Sequence, residues 1–230
     1  MALFVIADLH LSESTDKPMD VFGAAWTNHK SRLEAAWRET VTEDDTVVIP
    51  GDISWGMRFD NTEKDLLFIH SLPGKKIIGK GNHDYWWSTA AKFHKFCQEN
   101  GFENLHLLNN NCYEYGDWAI CGTRGWFFEE ERSGQHDEKV FKRELIRLEA
   151  SLKAAGEKQK MVFLHYPPRY KGYECPEILA LLEKYEVRRC FYGHLHGGSH
   201  KLAMEGQWDS VDFRLVAADY INFRPYKVIF

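Results

Sequence analysis

Nine residues of kinds that bind metal ions or move protons fall at the ends of five short apolar runs. "ALFVIADLH" closes with Asp8 and His10, "TVVIPGD" with Asp52, and "KKIIGKGNHD" with Asn82, His83 and Asp84; "KMVFLH" closes with His165 and "RCFYGHLH" with His194 and His196. Asp8 and His10, like His194 and His196, are two apart, so in an extended chain each pair points to one side. Gly51, Gly81 and Gly193 each precede one of these residues, where a missing Cβ lets the backbone turn closely. A lone histidine on an apolar segment is ordinarily a satisfied core residue, but independent structural causes do not repeat the same placement five times. Asp8, Asp52, Asn82, His10, His165, His194 and His196 supply two carboxylates, one amide and four imidazoles. That is too many for one tetrahedral zinc site and suits two adjacent divalent ions sharing a ligand. Oxygen and nitrogen donors without thiolate favour Mn, Fe or Zn over Ca or Mg, with no choice among the three.

These residues need strands that end together. Leu3 to Ala7, Thr46 to Ile49, Lys76 to Ile78, Trp118 to Cys121, Met161 to Leu164 and Cys190 to Tyr192 have the apolar, β-branched character of strands. Helices are predicted over Ser31 to Val41, Thr62 to Ser71, Ser88 to Glu99, Lys139 to Ala155 and Pro176 to Tyr185. Largely alternating strands and helices imply an α/β layered core, whose sites lie at the carboxyl ends of the strands. Asp212 to Ala218 and Tyr226 to Phe230 read as strands with no helix between them, so the sheets are expected to be mixed. The acidic stretch Glu129 to Lys139 reads as an exposed loop, and His136 within it is given no role. With 230 residues and no linker or repeat, the chain is expected to form a single domain, 1–230.

The 29 basic and 34 acidic residues leave a net charge of −5, which argues against nucleic-acid binding through bulk charge. Five scattered cysteines without a C-x-x-C pair read as reduced thiols. No apolar run approaches the roughly 20 residues of a membrane span, and the first ten residues lack a basic leader, so a cytoplasmic protein with no membrane partner is expected.

Taken in order, D-x-H, G-D, G-N-H-D, H and G-H-x-H resemble the calcineurin-like metallophosphoesterase superfamily from Asp8 to His196. "PGDISWG" with "GNHDYWW" further resembles a bacterial group of predicted phosphohydrolases. The resemblance implies a layered sandwich of two mixed β-sheets flanked by helices, with a dinuclear site at the carboxyl ends of the strands. It implies that Asp8, His10 and His196 hold one ion, that Asn82, His165 and His194 hold the other, and that Asp52 bridges them. It also implies that a bridging hydroxide attacks a phosphomonoester or phosphodiester, that His83 protonates the leaving oxygen, and that Asp84 accepts a hydrogen bond from the second His83 nitrogen.

Many relatives carry Asp and Arg shortly after G-D, whereas Ser54 and Trp55 stand here; Arg58 and Arg124 are the candidates to hold a phosphate. The segment from Leu11 to Lys30 is either a lid or a packed loop, and Tyr85, Trp86 and Trp87 read as packing under the next helix in preference to a substrate wall. A small phosphorylated substrate is expected, with oligomeric state open. A nuclease is the alternative within chemistry, disfavoured by the acidic composition. A non-catalytic scaffold is disfavoured because every ligand type is intact.

Overall fold

The computed structural model describes residues 1–126 and 135–230. Two sheets stack face to face between two layers of helices. The first has the order β13-β1-β2-β3-β4 and comprises Tyr226–Lys227, Leu3–Val5, Thr46–Pro50, Lys75–Gly79 and Leu105–Leu107. All its pairings are parallel except that of β13 on β1. The second has the order β11-β12-β10-β7-β6-β5 and comprises Gly206–Trp208, Val211–Leu215, Val187–Tyr192, Gln159–Leu164, Trp118–Thr123 and Tyr113–Tyr115. Its four central strands are parallel and both edges antiparallel. A short hairpin of β8, Arg169–Tyr170, and β9, Tyr173–Glu174, lies apart.

Strands β1 and β2 are buried along their whole length because both faces are covered, which is why they read as unbroken apolar runs. Leu3, Val5, Val48, Ile77, Met161, Phe163 and Phe191 fill the space between the sheets. Helices α1 (His29–Thr40), α2 (Glu63–Ser71) and α3 (Ala90–Asn100) cover the outer face of the first sheet through Leu33, Trp37, Leu66, Ile69 and Phe93. Helices α4 (Gln135–Ala154) and α5 (Pro176–Lys184) cover the second through Leu148, Leu152, Ile178 and Leu182. The sheets are stitched at their carboxyl ends, where the Ala7 amide donates to the Val216 carbonyl and the Ala218 amide to that of Ala7.

The sandwich agrees with the expectation from sequence. Strands β4, β5 and β11 lie outside that expectation: each has three residues, and each lies at a sheet edge where no continuous apolar run is needed. The acidic stretch expected as a loop lies outside the described residues through 134, and its remainder opens α4 at Gln135. All five cysteines are free. Among the described residues no helix is long and apolar enough to cross a membrane.

Lys76 on β3 is fully buried, its ammonium donating to the carbonyls of Leu72 (2.5 Å) and His70 (3.4 Å). Burial lowers its pKa to about 8, with Glu43 opposing and Arg38 assisting. Below pH 8 both folded and unfolded chains carry the proton and the buried charge weakens the fold. Between pH 8 and the ordinary 10.5 the unfolded chain binds more protons, so stability rises with pH across that window. Urea unfolding of wild type and Lys76→Met should therefore differ in slope against pH between 8 and 10.5, with the variant flat by comparison; parallel profiles would contradict the assignment.

Candidate metal centre

Four of the nine strand-end residues sit in left-handed backbone: Asp8 (φ 62°), His10 (46°), Asp52 (52°) and His194 (71°). Each such conformation costs on the order of 1–3 kcal/mol and persists only where the surroundings over-determine it. Here neighbouring strand ends lock one another. The Asp8 amide donates to the Gly51 carbonyl and the His10 amide to that of Asp52, each at 3.0 Å. The His194 amide donates to both oxygens of Asp8, at 3.0 and 3.2 Å.

Asp84 supplies the strongest lock. Its buried carboxylate accepts the backbone amides of Gly81 and Asp52 (2.8 Å each), Ile53 (2.9 Å) and Ser54 (3.3 Å), and the indole N–H of Trp86 (3.0 Å). Burial raises its pKa, and these donors oppose that rise. The two loops touch at their glycines. A Cβ on Gly51 would lie 2.6 Å from the Gly81 Cα, and one on Gly81 would lie 2.7 Å from the Asp52 Cγ.

This corrects the role expected for Asp84. It makes no hydrogen bond to His83, whose Nδ1 is buried without a partner. The tight G-N-H-D turn aims the carboxylate back at the backbone amides, while the His83 ring faces outward, its Nε2 4.0 Å from Asp52. Asp84 is thus a positioning residue for the loops. Burial, then Lys17 and His196, lower the His83 pKa to about 4.

The structure brings the candidate ligands together. Asp8, His10 and His196 present ligand atoms within 4.8 Å of one another, as do Asp8, Asp52 and His165. His165 Nε2 lies 2.6 Å from Asn82 Oδ1 and 3.5 Å from Asp52 Oδ2, and His10 Nε2 lies 3.3 Å from His196 Nε2. The His194 ring packs on His165 and Tyr166, with centroids 5.2 and 4.6 Å apart.

Without a cation the cluster is electrostatically frustrated. Burial raises the Asp8 pKa and drives that of Asp52 well above the carboxylate range, the latter aided by the charges of Asp84 and Asp8. Burial, then neighbouring imidazoles, drives His10 and His165 well below their ordinary value and His194 to about 3. His196 is the exception: burial lowers it, but the Asp8 charge and the Asp219 hydrogen bond outweigh that and set it at about 10. The Nδ1 atoms of His10 and His165 are buried without hydrogen-bond partners. Buried carboxylates among neutral imidazoles with unused lone pairs fit divalent cations.

Other candidates fall elsewhere. Arg58 is exposed and pairs with Asp60 at 3.1 Å. Arg124 lines a separate cavity of about 240 Å³ with Lys80, Arg147 and Glu144, although its carbonyl accepts the His165 amide. Trp86 and Trp87 are buried against Phe93 of α3, whereas Tyr85 is exposed.

Four residues of the site had no individual role assigned from sequence. Asp219 accepts from His196 Nδ1 at 2.8 Å and from the Gly197 amide at 3.0 Å, orienting that imidazole as carboxylates orient metal-bound histidines. It follows β12, so the signal used for the other acids was present. Trp26 and Trp55 flank His10, with ring centroids 5.6 and 4.9 Å away. Lys17 lies over the Trp55 ring, 3.0 Å from its centroid, and forms no ion pair among the described residues.

A two-sheet sandwich with carboxylates and imidazoles converging at the carboxyl ends of its strands is the architecture of a metallohydrolase. The calcineurin-like phosphoesterase family model matches residues 1–198, and the chain belongs to that family. No curated protein matches the sequence. Among solved structures, the phosphopantetheinyl hydrolase PptH from Mycobacterium tuberculosis is similar at 14% identity and TM-score 0.61, over 99% of this chain and 95% of that one. A protein of unknown function, AQ665 from Aquifex aeolicus, is similar at 14% identity and TM-score 0.57, over 98% and 95%. TT1561 from Thermus thermophilus is similar at 8% identity and TM-score 0.52, over 84% and 81%. At these identities the likeness is one of fold.

Asp84→Asn would turn amide hydrogens toward a nest of N–H donors. Each buried donor left unpaired costs about 1–3 kcal/mol. The variant should melt well below wild type and bind metal more weakly, by thermal melts and metal titration; an unchanged melting temperature would refute the locking role.

Proposed function

We propose that the chain hydrolyses a phosphoester using two divalent ions, Mn, Fe or Zn. Asp8, His10 and His196 would hold one ion, Asn82, His165 and His194 the other, and Asp52 would bridge them. The observation that carries this reading is the pair of ligand clusters that share Asp8, buried but for the half-buried His196, beneath a mouth occupied by His83. When bound, the ions supply activation of a water nucleophile and neutralisation of charge on the phosphoryl oxygens. The neutral Asn82 limits negative charge where an anionic ester must approach. His83 faces the bound ester and donates a proton to the leaving oxygen; the negative phosphate favours its protonated form. Lys17, which has no carboxylate partner among the described residues and is held on Trp55, is better placed than Arg58 or Arg124 to attract the phosphate. The site would work in the cytoplasm, where its free cysteines stay reduced.

Asp52→Ala should release both ions and abolish hydrolysis, as read by elemental analysis and by turnover of a panel of phosphomonoesters and diesters. One ion retained at full occupancy and affinity would refute the bridging role.

His83→Asn should keep its metal and slow an alkyl ester by about 10²–10⁴ while sparing a nitrophenyl ester, whose leaving group needs little protonation. Lys17→Ala should instead raise KM for both esters without changing the ratio of their turnover numbers. Equal slowing of both esters by His83→Asn would remove the acid assignment.

A further inference from the structure

A cavity of about 340 Å³ opens over the His83 side of the centre. Met19, Phe22, Trp26 and Trp55 wall it, and the rings of His10, His83 and His196 also face it. Its size is at the small end of the roughly 300–1,000 Å³ of small-molecule sites. Among the described residues its lining includes no carboxylate, amide or hydroxyl side chain. The Trp55 indole N–H is already committed to the Met19 sulfur at 3.1 Å, which also ties the segment after Leu11 to the cavity wall. That segment forms two short 3-10 turns, Met19–Phe22 and Ala24–Trp26, which bury Met19 and Trp26 but leave Phe22 59% exposed.

We propose that the organic group of the ester is apolar, an aromatic ring or a compact branched hydrocarbon, and that it occupies this cavity. The inference rests on the phosphoester reading for where the phosphate lies. Because the leaving oxygen must lie beside His83, the group it carries extends into the space His83 faces. A hydroxyl-rich group there would give up hydration with only imidazoles and the Gly197–Gly198 backbone to replace it, against four apolar or aromatic walls. An apolar group loses nothing of that kind and covers Phe22, which otherwise stands in water. The segment of residues 11–30 thus acts as a specificity wall, with Phe22 at its open edge and Trp26 at its base.

The test uses the metal-loaded full chain and two hydrolysis-inert analogues, benzylphosphonate and 2,3-dihydroxypropylphosphonate, with affinities read by calorimetry. Benzylphosphonate should bind about tenfold more tightly or better. Trp26 is buried against Phe223 and His29, so Trp26→Ala can fail for structural reasons. Phe22→Ser is the variant of choice, and it should lower the benzyl preference by about threefold. Equal affinity for the two analogues, no binding of either, or a Phe22→Ser change that weakens both alike would overturn the proposal. Turnover is read separately with benzyl phosphate and benzyl methyl phosphate. If neither is cleaved while benzylphosphonate remains preferred, the hydrolysis reading fails and the apolar cavity assignment stands.

Discussion

The centre depends on one buried carboxylate. Asp84 gathers four backbone amides and one indole from two loops that would otherwise repel as arrays of unpaired donors. With that anion in place, the loop after β2 and the loop after β3 can approach until their glycines touch, and Asp52 is held in a backbone conformation it would not choose. The Asp52 side chain in turn accepts the His83 amide at 2.8 Å, so the candidate acid is fixed by the candidate bridging ligand. The order of dependence runs from a structural charge to a ligand charge to the catalytic candidate.

The same logic explains why the centre is poor at being empty. Asp8 and Asp52 are buried near each other with little cationic compensation, and most of the imidazoles around them are driven neutral by burial. Such an arrangement weakens the fold unless positive charge arrives, and an ion that binds only the folded chain returns the deficit as stability. Asp219 tempers this on one side by pairing with His196, which gives the first cluster a partial internal counter-charge.

Much of this was legible in sequence because strand ends announce themselves: an apolar run must stop where the chain leaves the core, and a histidine or aspartate placed there repeatedly has little structural excuse. The fully buried central strands carried that signal without ambiguity. What could not be read was direction. Asp84 adjoins His83 in the chain and invites a pairing, but a tight turn sends neighbouring side chains to opposite sides, and the tertiary setting decides which. Asp219 was passed over because it lies beyond the last quoted motif, which ends at His196, the residue it pairs with. Lys17 and Trp55 are brought together by a loop returning beside Ser54, a contact no local periodicity encodes.

The seam between the sheets carries a consequence for synthesis. β1, which bears the first ligands, pairs on one side with β13, while the bridge at Ala7 is made with Ala217 and the carboxylate behind His196 comes from Asp219. A chain still emerging from the ribosome can build β1 through β4 and their helices, yet β1 then remains a bare edge, the kind of surface on which strands of other molecules add. The candidate ligands that precede β2 therefore wait on Ala217, Asp219 and β13, which are translated after β12. Completing the candidate centre and closing the first sheet both await that late stretch, so the proposed metal loading would follow its synthesis.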